Sequence, residues 1–218
     1  MIQGAIFDMD GLMFDTEPIW TEAWVPALAE FGLEIKEGLA DACRGSSDES
    51  CVATLKRFYG DDTPGQEIMN TLRRLAQDMI AGDVRKKPCL DEILNYLSEQ
   101  GVPCAVASSS TPQLITICLH EAGIDDKFEA TLSGMDMEHS KPHPEIFLKA
   151  AEALGTDPAQ TLVLEDSYAG VRAGAAGGFI TVMVPDMVQP DEEISQLYTA
   201  CCHDLGEVRD LIAAGKLG

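Results

Sequence analysis

Two aspartates, Asp8 and Asp10, stand one residue apart in Phe7-Asp8-Met9-Asp10-Gly11, directly after the apolar stretch Ala5-Ile6-Phe7. Carboxylates at i and i+2 past a short strand fall at the C-terminal edge of a sheet, where open α/β folds place their ligands. Such a pair can hold a divalent cation or divide nucleophilic and acid–base duties between its members. Asp-Gly also marks ordinary turns, so the pair takes its meaning from what accompanies it. Three later segments supply that company. Val106-Ala107 runs into Ser108-Ser109-Ser110-Thr111-Pro112, and hydroxyls with backbone N–H groups at a strand-to-helix junction can hold an oxyanion. Either Ser110 or Thr111 is expected to serve as a plain helix cap, and four hydroxyls are more than capping needs. Lys141, in Lys141-Pro142-His143-Pro144, offers a positive charge that can neutralise a carboxylate and a phosphate together. Val163-Leu164-Glu165-Asp166-Ser167 puts a second acidic pair at a strand end, an arrangement that is costly unless a cation offsets it. The oxygen-rich set suits Mg²⁺, which favours few carboxylates together with substrate phosphate and water. His139 and His143 lack suitable carboxylate spacing and read as surface or capping residues.

Those residues need a scaffold that brings strand ends together. Short apolar runs separated by helical patterns predict buried parallel strands over 3–7, 103–108, 130–133, 161–164 and 180–184, with a weaker one over 199–202. Helical patterns intervene over 89–100, 112–122, 144–154 and 169–176. The alternation predicts an α/β fold, a doubly wound, Rossmann-like parallel sheet. The interval between the first two strands breaks the rhythm. Trp20, Trp24, Leu28 and Phe31 share one helical face, as do Ile68, Leu72, Leu75 and Met79, and Asp48 is placed to cap a third helix. The expected organisation is a catalytic core of residues 1–15 and 83–218 with an all-helical cap domain, residues 16–82, inserted over the acidic pair. Both tryptophans are expected mainly in the core of that insertion.

The chain has 218 residues, 45% of them apolar, and 15 basic against 37 acidic side chains for a formal charge of −22. A globular protein large enough for one domain plus a smaller one is expected. Its field repels nucleic-acid backbones and anionic membranes, so neither is an expected partner. Seven cysteines with no C-x-x-C spacing argue against a zinc site and for reduced thiols in a cytoplasm. The N-terminus shows no secretory pattern and no run is long enough to span a membrane. A phosphate-receiving response-regulator domain shares the order of an acidic pair, a hydroxyl and a lysine. It is far smaller and lacks both the insertion and the terminal acidic pair.

In this order the four segments resemble the haloacid dehalogenase superfamily, in particular its subgroup with a helical cap after the first motif, over essentially the whole chain. The resemblance implies that Asp8 attacks phosphorus to form an aspartyl-phosphate, and that Asp10 protonates the leaving group and then activates water. It also implies that Ser108 binds phosphate and Lys141 orients nucleophile and phosphate. Mg²⁺ would be held by Asp8, Asp166 and the backbone carbonyl of Asp10, with Glu165 orienting the site or reaching the metal through water. Substrate contacts are expected from Gly11 and Ser109, and in the cap from Glu17, Trp20 and Arg44. Dehalogenases of the superfamily lack an aspartate at position 10, because halide leaves without a proton, so phosphoryl chemistry is implied. Within the superfamily the chain resembles beta-phosphoglucomutase, phosphoglycolate phosphatase and small sugar-phosphate phosphatases. Trp20 stands where the mutase has a cap histidine, and Ser47 approximately where it has a phosphate-binding arginine, with Arg44 nearby in another register. These departures favour a monophosphate phosphatase over the mutase. The expected protein is a monomer that needs Mg²⁺ and acts on a small phosphorylated metabolite: a sugar or polyol monophosphate, or one like phosphoglycolate. A phosphomutase, and a non-catalytic binding or structural protein on the same fold, remain alternatives.

Overall fold

The computed structural model describes residues 2–43 and 48–217. The chain divides into two compact units, Met1–Asp15 with Val84–Gly218, and Thr16–Asp83. The first strand, β1 (Gly4–Phe7), is followed by the inserted unit, which contains α1 (Glu17–Ala29), α2 (Leu39–Cys43), α3 (Asp48–Tyr59) and α4 (Gly65–Gly82). Its described residues form helices and loops, and α1 and α3 both pack on α4. Trp24, Leu28, Leu55, Ile68 and Leu72 are buried in one cluster, with Trp20, Phe31, Leu75 and Met79 partly buried against it. Helix α1 stops at Ala29 instead of running through Phe31. Gly32 takes a left-handed φ of 69° and Leu33 donates its N–H back to the Leu28 carbonyl at 3.1 Å, which ends the helix.

The chain then builds the other unit through α5 (Leu90–Glu99), β2 (Cys104–Ser108), α6 (Pro112–Glu121), β3 (Ala130–Ser133), α7 (Glu145–Leu154), β4 (Thr161–Glu165), α8 (Tyr168–Ala176), β5 (Ile180–Met183), β6 (Ala200–Cys201) and α9 (Leu205–Ala213). The strands form a six-stranded sheet in the order β3-β2-β1-β4-β5-β6, and every neighbouring pair is parallel. This is a doubly wound sheet, and the crevice where its strand order reverses lies beside β1. The central strands β1, β2 and β4 are buried along their whole length, as expected for strands covered on both faces.

Helix α7 shows how local sequence sets the packing. Gly155 adopts φ 67° and closes the helix, while Ile146, Phe147, Ala150 and Ala151 form its buried stripe. That stripe packs with Ile6, Ala105, Ala107 and Val163 from the sheet, and with Ala173 and Phe179. Phe147 meets Phe179 edge to face at 6.1 Å between centroids. Each such ring contributes about 2–3 kcal/mol by leaving water. The helix α9 has no counterpart in the sequence reading. Asp204 caps it by accepting from the Glu207 N–H at 2.9 Å, and Glu207 reaches back to the His203 N–H at 2.7 Å. Leu205 and Val208 give it a short buried face, and it packs on α5. All seven cysteines are free thiols. Among the described residues no helix is long and apolar enough to cross a membrane.

Candidate active site

Strand register decides which side chains meet. Phe7 pairs with Leu164 on one side and with Val106 on the other, so the residues after β1 emerge between the ends of β4 and β2. The Asp8 N–H continues the ladder to the Leu164 carbonyl at 3.0 Å, and Ser108 pairs with Ser133. The C-terminal edge of the sheet therefore collects Asp8, Ser108, Glu165 and their successors.

Lys141 links two of these strand ends. Its ammonium donates to Asp8 Oδ1 and to Glu165 Oε1, each at 2.6 Å, and to the Ala107 carbonyl at 3.1 Å. It also stands 4.7 Å from the centroid of the Phe147 ring, so the α7 stripe that fills the core holds the lysine stem in place as well. Burial lowers the basicity of Lys141, but Asp8 and Glu165 more than offset it, and the ammonium stays charged. The second Glu165 oxygen accepts from the Ser167 N–H and hydroxyl, both at 2.9 Å. Glu165 is fully buried with both oxygens engaged. Gly170 makes this possible, since a Cβ there would stand 1.7 Å from the Glu165 carboxyl carbon.

Asp10 has a different environment. Its Oδ2 accepts from the Ser110 hydroxyl at 2.7 Å and from the Ser108 hydroxyl at 3.3 Å. Ser108 accepts in turn from the Ser110 N–H at 3.0 Å, and Ser133 donates to the Ser110 carbonyl at 2.6 Å. The helix α6 is capped by Thr111, which accepts from the Leu114 N–H at 3.3 Å. That leaves Ser110 for Asp10, a partnership hidden in the sequence because either residue could have been the cap. Ser109, between them, is exposed.

Among the described residues, Asp8, Glu165 and Asp166 bring carboxylate oxygens within 4.8 Å of one another. Asp8 is pushed up to about 7, first by burial and then by the charges of Glu165 and Asp10, against the pull of Lys141. Asp166 is raised well above the usual carboxylate range, by burial and by Glu165 and Asp8. Two buried carboxylates and a half-buried third facing one ammonium are short of positive charge, and the all-oxygen donor set fits a hard divalent cation. The carboxylate of Asp10 lies outside this group. A second group, His139, His143 and Glu145, lies at the start of α7. There Glu145 accepts from the N–H groups of Glu138 at 3.1 Å and His139 at 2.8 Å and from Lys149 at 2.6 Å. Its lone pairs brace the loop that carries Lys141.

Gly11 has φ 85°, and its bare side faces Asp166, whose Oδ2 lies 2.3 Å from where a Cβ would stand. Trp20 lies in α1, half-buried against the helical cluster of the inserted unit. Glu17 opens α1, but its side chain lies outside the described set, as does that of Asp48. Arg44 and Ser47 lie outside the described residues. Three residues were given no role by the sequence pattern. Ser167 follows the acidic pair directly, and Lys87 and Asp186 lie far apart in sequence and form a 2.7 Å ion pair.

Comparison with known proteins gives the same picture. The sequence profile of the haloacid dehalogenase-like hydrolases matches residues 5–184. Hexitol phosphatase B of Escherichia coli K12 is 29% identical over 219 residues, covering 100% of this chain and 97% of that protein. Fructose-1-phosphate phosphatase YqaB of Escherichia coli K12 is 28% identical over 181 residues, covering 83% of this chain and 95% of that protein. The crystal structure of a haloacid dehalogenase family hydrolase from Deinococcus radiodurans R1, with bound phosphate and sodium, superposes with a TM-score of 0.76 at 28% identity, over 99% of this chain and 97% of that one. At the end of β1 the parallel α/β core carries an Asp-x-Asp pair beside a carboxylate group fit for a divalent cation. The chain belongs to the haloacid dehalogenase-like hydrolases, and its chemistry is that of the phosphatases among them, acting on small phosphorylated metabolites through an aspartyl-phosphate.

Proposed function

We propose that this chain is a Mg²⁺-dependent phosphatase of sugar or polyol monophosphates, with Asp8 as nucleophile and Asp10 as acid and base. The observation that carries the reading is the contrast between two aspartates one residue apart. Asp8 is tied to an ammonium inside an anionic cluster, and Asp10 to two hydroxyls. Two carboxylates in such different surroundings suit two different roles. Asp8 attacks phosphorus in line, the Asp8–phosphorus bond forms, and the bond to the ester oxygen breaks. Asp10 gives its proton to that departing oxygen. Water then attacks the phospho-aspartate, Asp10 takes a proton from it, and inorganic phosphate leaves with Asp8 restored as a carboxylate.

Lys141 holds Asp8 in position and draws the phosphate oxygens to it, while Glu165, saturated by Lys141 and Ser167, keeps the ammonium in place. The Ser108 hydroxyl and the N–H groups that open α6 cradle the phosphate. Mg²⁺ would be held by Asp8, Asp166 and the Asp10 carbonyl, and when bound it supplies the positive charge that lets an anionic substrate approach Asp8. The substrate class rests on the two relatives above, which by name act on hexitol phosphates and fructose 1-phosphate. The formal charge of −22 supports a small-molecule substrate over a nucleic acid.

The test is phosphate release from a panel of sugar, polyol, glycolate and nucleotide monophosphates, with and without Mg²⁺, beside Asp8→Asn. Release from sugar or polyol phosphates that needs Mg²⁺ and vanishes in Asp8→Asn is expected. Preference for glycolate or nucleotide phosphates would overturn the substrate class. No release from any member, with an isomerised sugar phosphate formed once a bisphosphate is added, would replace the phosphatase by a mutase.

A further inference from the structure

The loop after β5 brings one more carboxylate to the cation cluster. The Val184 N–H bonds the Glu165 carbonyl at 2.7 Å, so the chain leaves β5 alongside the acidic pair. Two residues later, Asp186 Oδ1 accepts from Lys87 at 2.7 Å. Its other oxygen, Oδ2, is buried and has no hydrogen-bond partner among the described residues. A buried carboxylate oxygen without a donor is costly, and native structures rarely leave one.

Gly11 shows where that oxygen lies. A Cβ on Gly11 would stand 2.3 Å from Asp166 Oδ2 and 3.5 Å from Asp186 Oδ2, so the two oxygens share the bare side of one glycine. Asp166 belongs to the carboxylate group that fits a divalent cation. Mg²⁺ bound largely through few carboxylates keeps several waters, and those waters are strong donors. A cavity of about 530 Å³ borders Gly11, Lys87 and Asp186.

We propose that Asp186 is a positioning residue of the cation site: its free oxygen accepts from a water of the cation's shell, and Lys87 balances its charge. Lys87 also reaches Asp15 Oδ1 at 3.4 Å. Asp15 and Lys87 both belong to the unit that holds the sheet. The inference rests on the cation-dependent reading above.

The test is cation binding, read without turnover: Mn²⁺ by the loss of its free electron-paramagnetic signal, and Mg²⁺ by calorimetry. Asp186→Asn should weaken both by about tenfold or more, the usual effect of losing an outer-shell partner. Asp15→Asn removes the same charge from Lys87 but does not face Gly11, and should bind as the wild type does. Asp166→Asn should abolish binding. Wild-type affinity in Asp186→Asn, or an equal loss in Asp15→Asn, would overturn the proposal. If Asp186→Asn fails to fold by circular dichroism, Asp186→Glu keeps the charge but moves the oxygens, and wild-type affinity there would overturn it equally. A wild type that binds cation without releasing phosphate would sink the phosphatase reading alone. Phosphate release with unaltered binding in Asp186→Asn would sink only this proposal.

Discussion

Glu165 fills the space that Gly170 leaves open: a methyl group at 170 would lie 1.7 Å from the glutamate's carboxyl carbon and from its Oε1. The backbone of Gly170 is ordinary helix, so the glycine is there for room and not for conformation. Glu165 cannot step aside cheaply, because its oxygens hold Lys141 and Ser167. Gly170→Ala should therefore break a buried, hydrogen-bonded ion pair and cost about 3–5 kcal/mol. Phosphate release should fall at least about a hundredfold as Lys141 loses its anchor. Denaturant unfolding and steady-state kinetics on the same preparation check both numbers, and a fully active, stable variant would refute the packing argument.

Asp8 makes the cation-free protein pH-sensitive. Its folded pKa of about 7 lies above the unfolded value of 3.8, so between those limits the folded protein holds a proton that the unfolded chain has lost. Stability from this group is fully present below pH 4 and declines as pH rises toward 7, leaving the ionised cluster under strain above that. Mg²⁺ should reverse the loss, and its stabilisation should grow from pH 5 to pH 8. At a hundred times its dissociation constant the gain is about 2.7 kcal/mol, or a melting shift of about 5–10 °C. In EDTA at pH 8, Asp8→Asn should melt at or above the wild type while releasing no phosphate. A variant that melts lower at pH 8 than at pH 5, relative to wild type, would contradict the assignment.

Ser110 donates to Asp10 at 2.7 Å. Removing that hydroxyl should cost the fold no more than about 1.5–3 kcal/mol, the scale of one hydrogen bond to a charged group. The effect belongs in the chemical step: Ser110→Ala should lower kcat about tenfold with little change in KM, and Ser110→Thr should recover part of it. A change confined to KM would place Ser110 with the substrate instead.

Glu145 braces the loop that presents Lys141. Lys149 and the N–H groups of Glu138 and His139 hold its carboxyl down at about 2, so the brace is complete above the unfolded pKa of 4.5 and is released only as pH falls toward 2. Glu145→Gln leaves one acceptor for two N–H groups, and should lower kcat about tenfold while Mg²⁺ affinity stays unchanged. Loss of Mg²⁺ affinity would show that the loop also shapes the carboxylate cluster.

The architecture was readable from sequence because central parallel strands must be apolar along their whole length, and Ala5-Ile6-Phe7, Val106-Ala107 and Leu162-Val163-Leu164 are. Asp8, Asp10, Ser108 and Glu165 were readable for the same reason: polar side chains that interrupt such runs at one end must lie at one edge of the sheet. Helix α9 was missed because its buried face is short, although Asp204 followed by Glu207 three residues on is a helix-start signal that the chain itself carries. Trp20 shows the limit from the other side. Its helical spacing placed it correctly in the insertion's apolar face, but spacing alone does not say whether a ring packs or binds.

What the sequence determined by itself was the order of strands and helices and the chemical types at each strand end, because periodicity and interruption are local properties of the chain. Tertiary structure alone decided the partners. Register set Asp8 beside Glu165, and one lysine from a distant loop joined them. The choice of Thr111 as cap released Ser110 to Asp10. Lys87 and Asp186 met across the fold, and the bare side of Gly11 left room for Asp166 and Asp186. Hydrogen bonds and charge pairs act over a few ångströms, and which groups come that close is a property of the packed sheet, not of spacing along the chain.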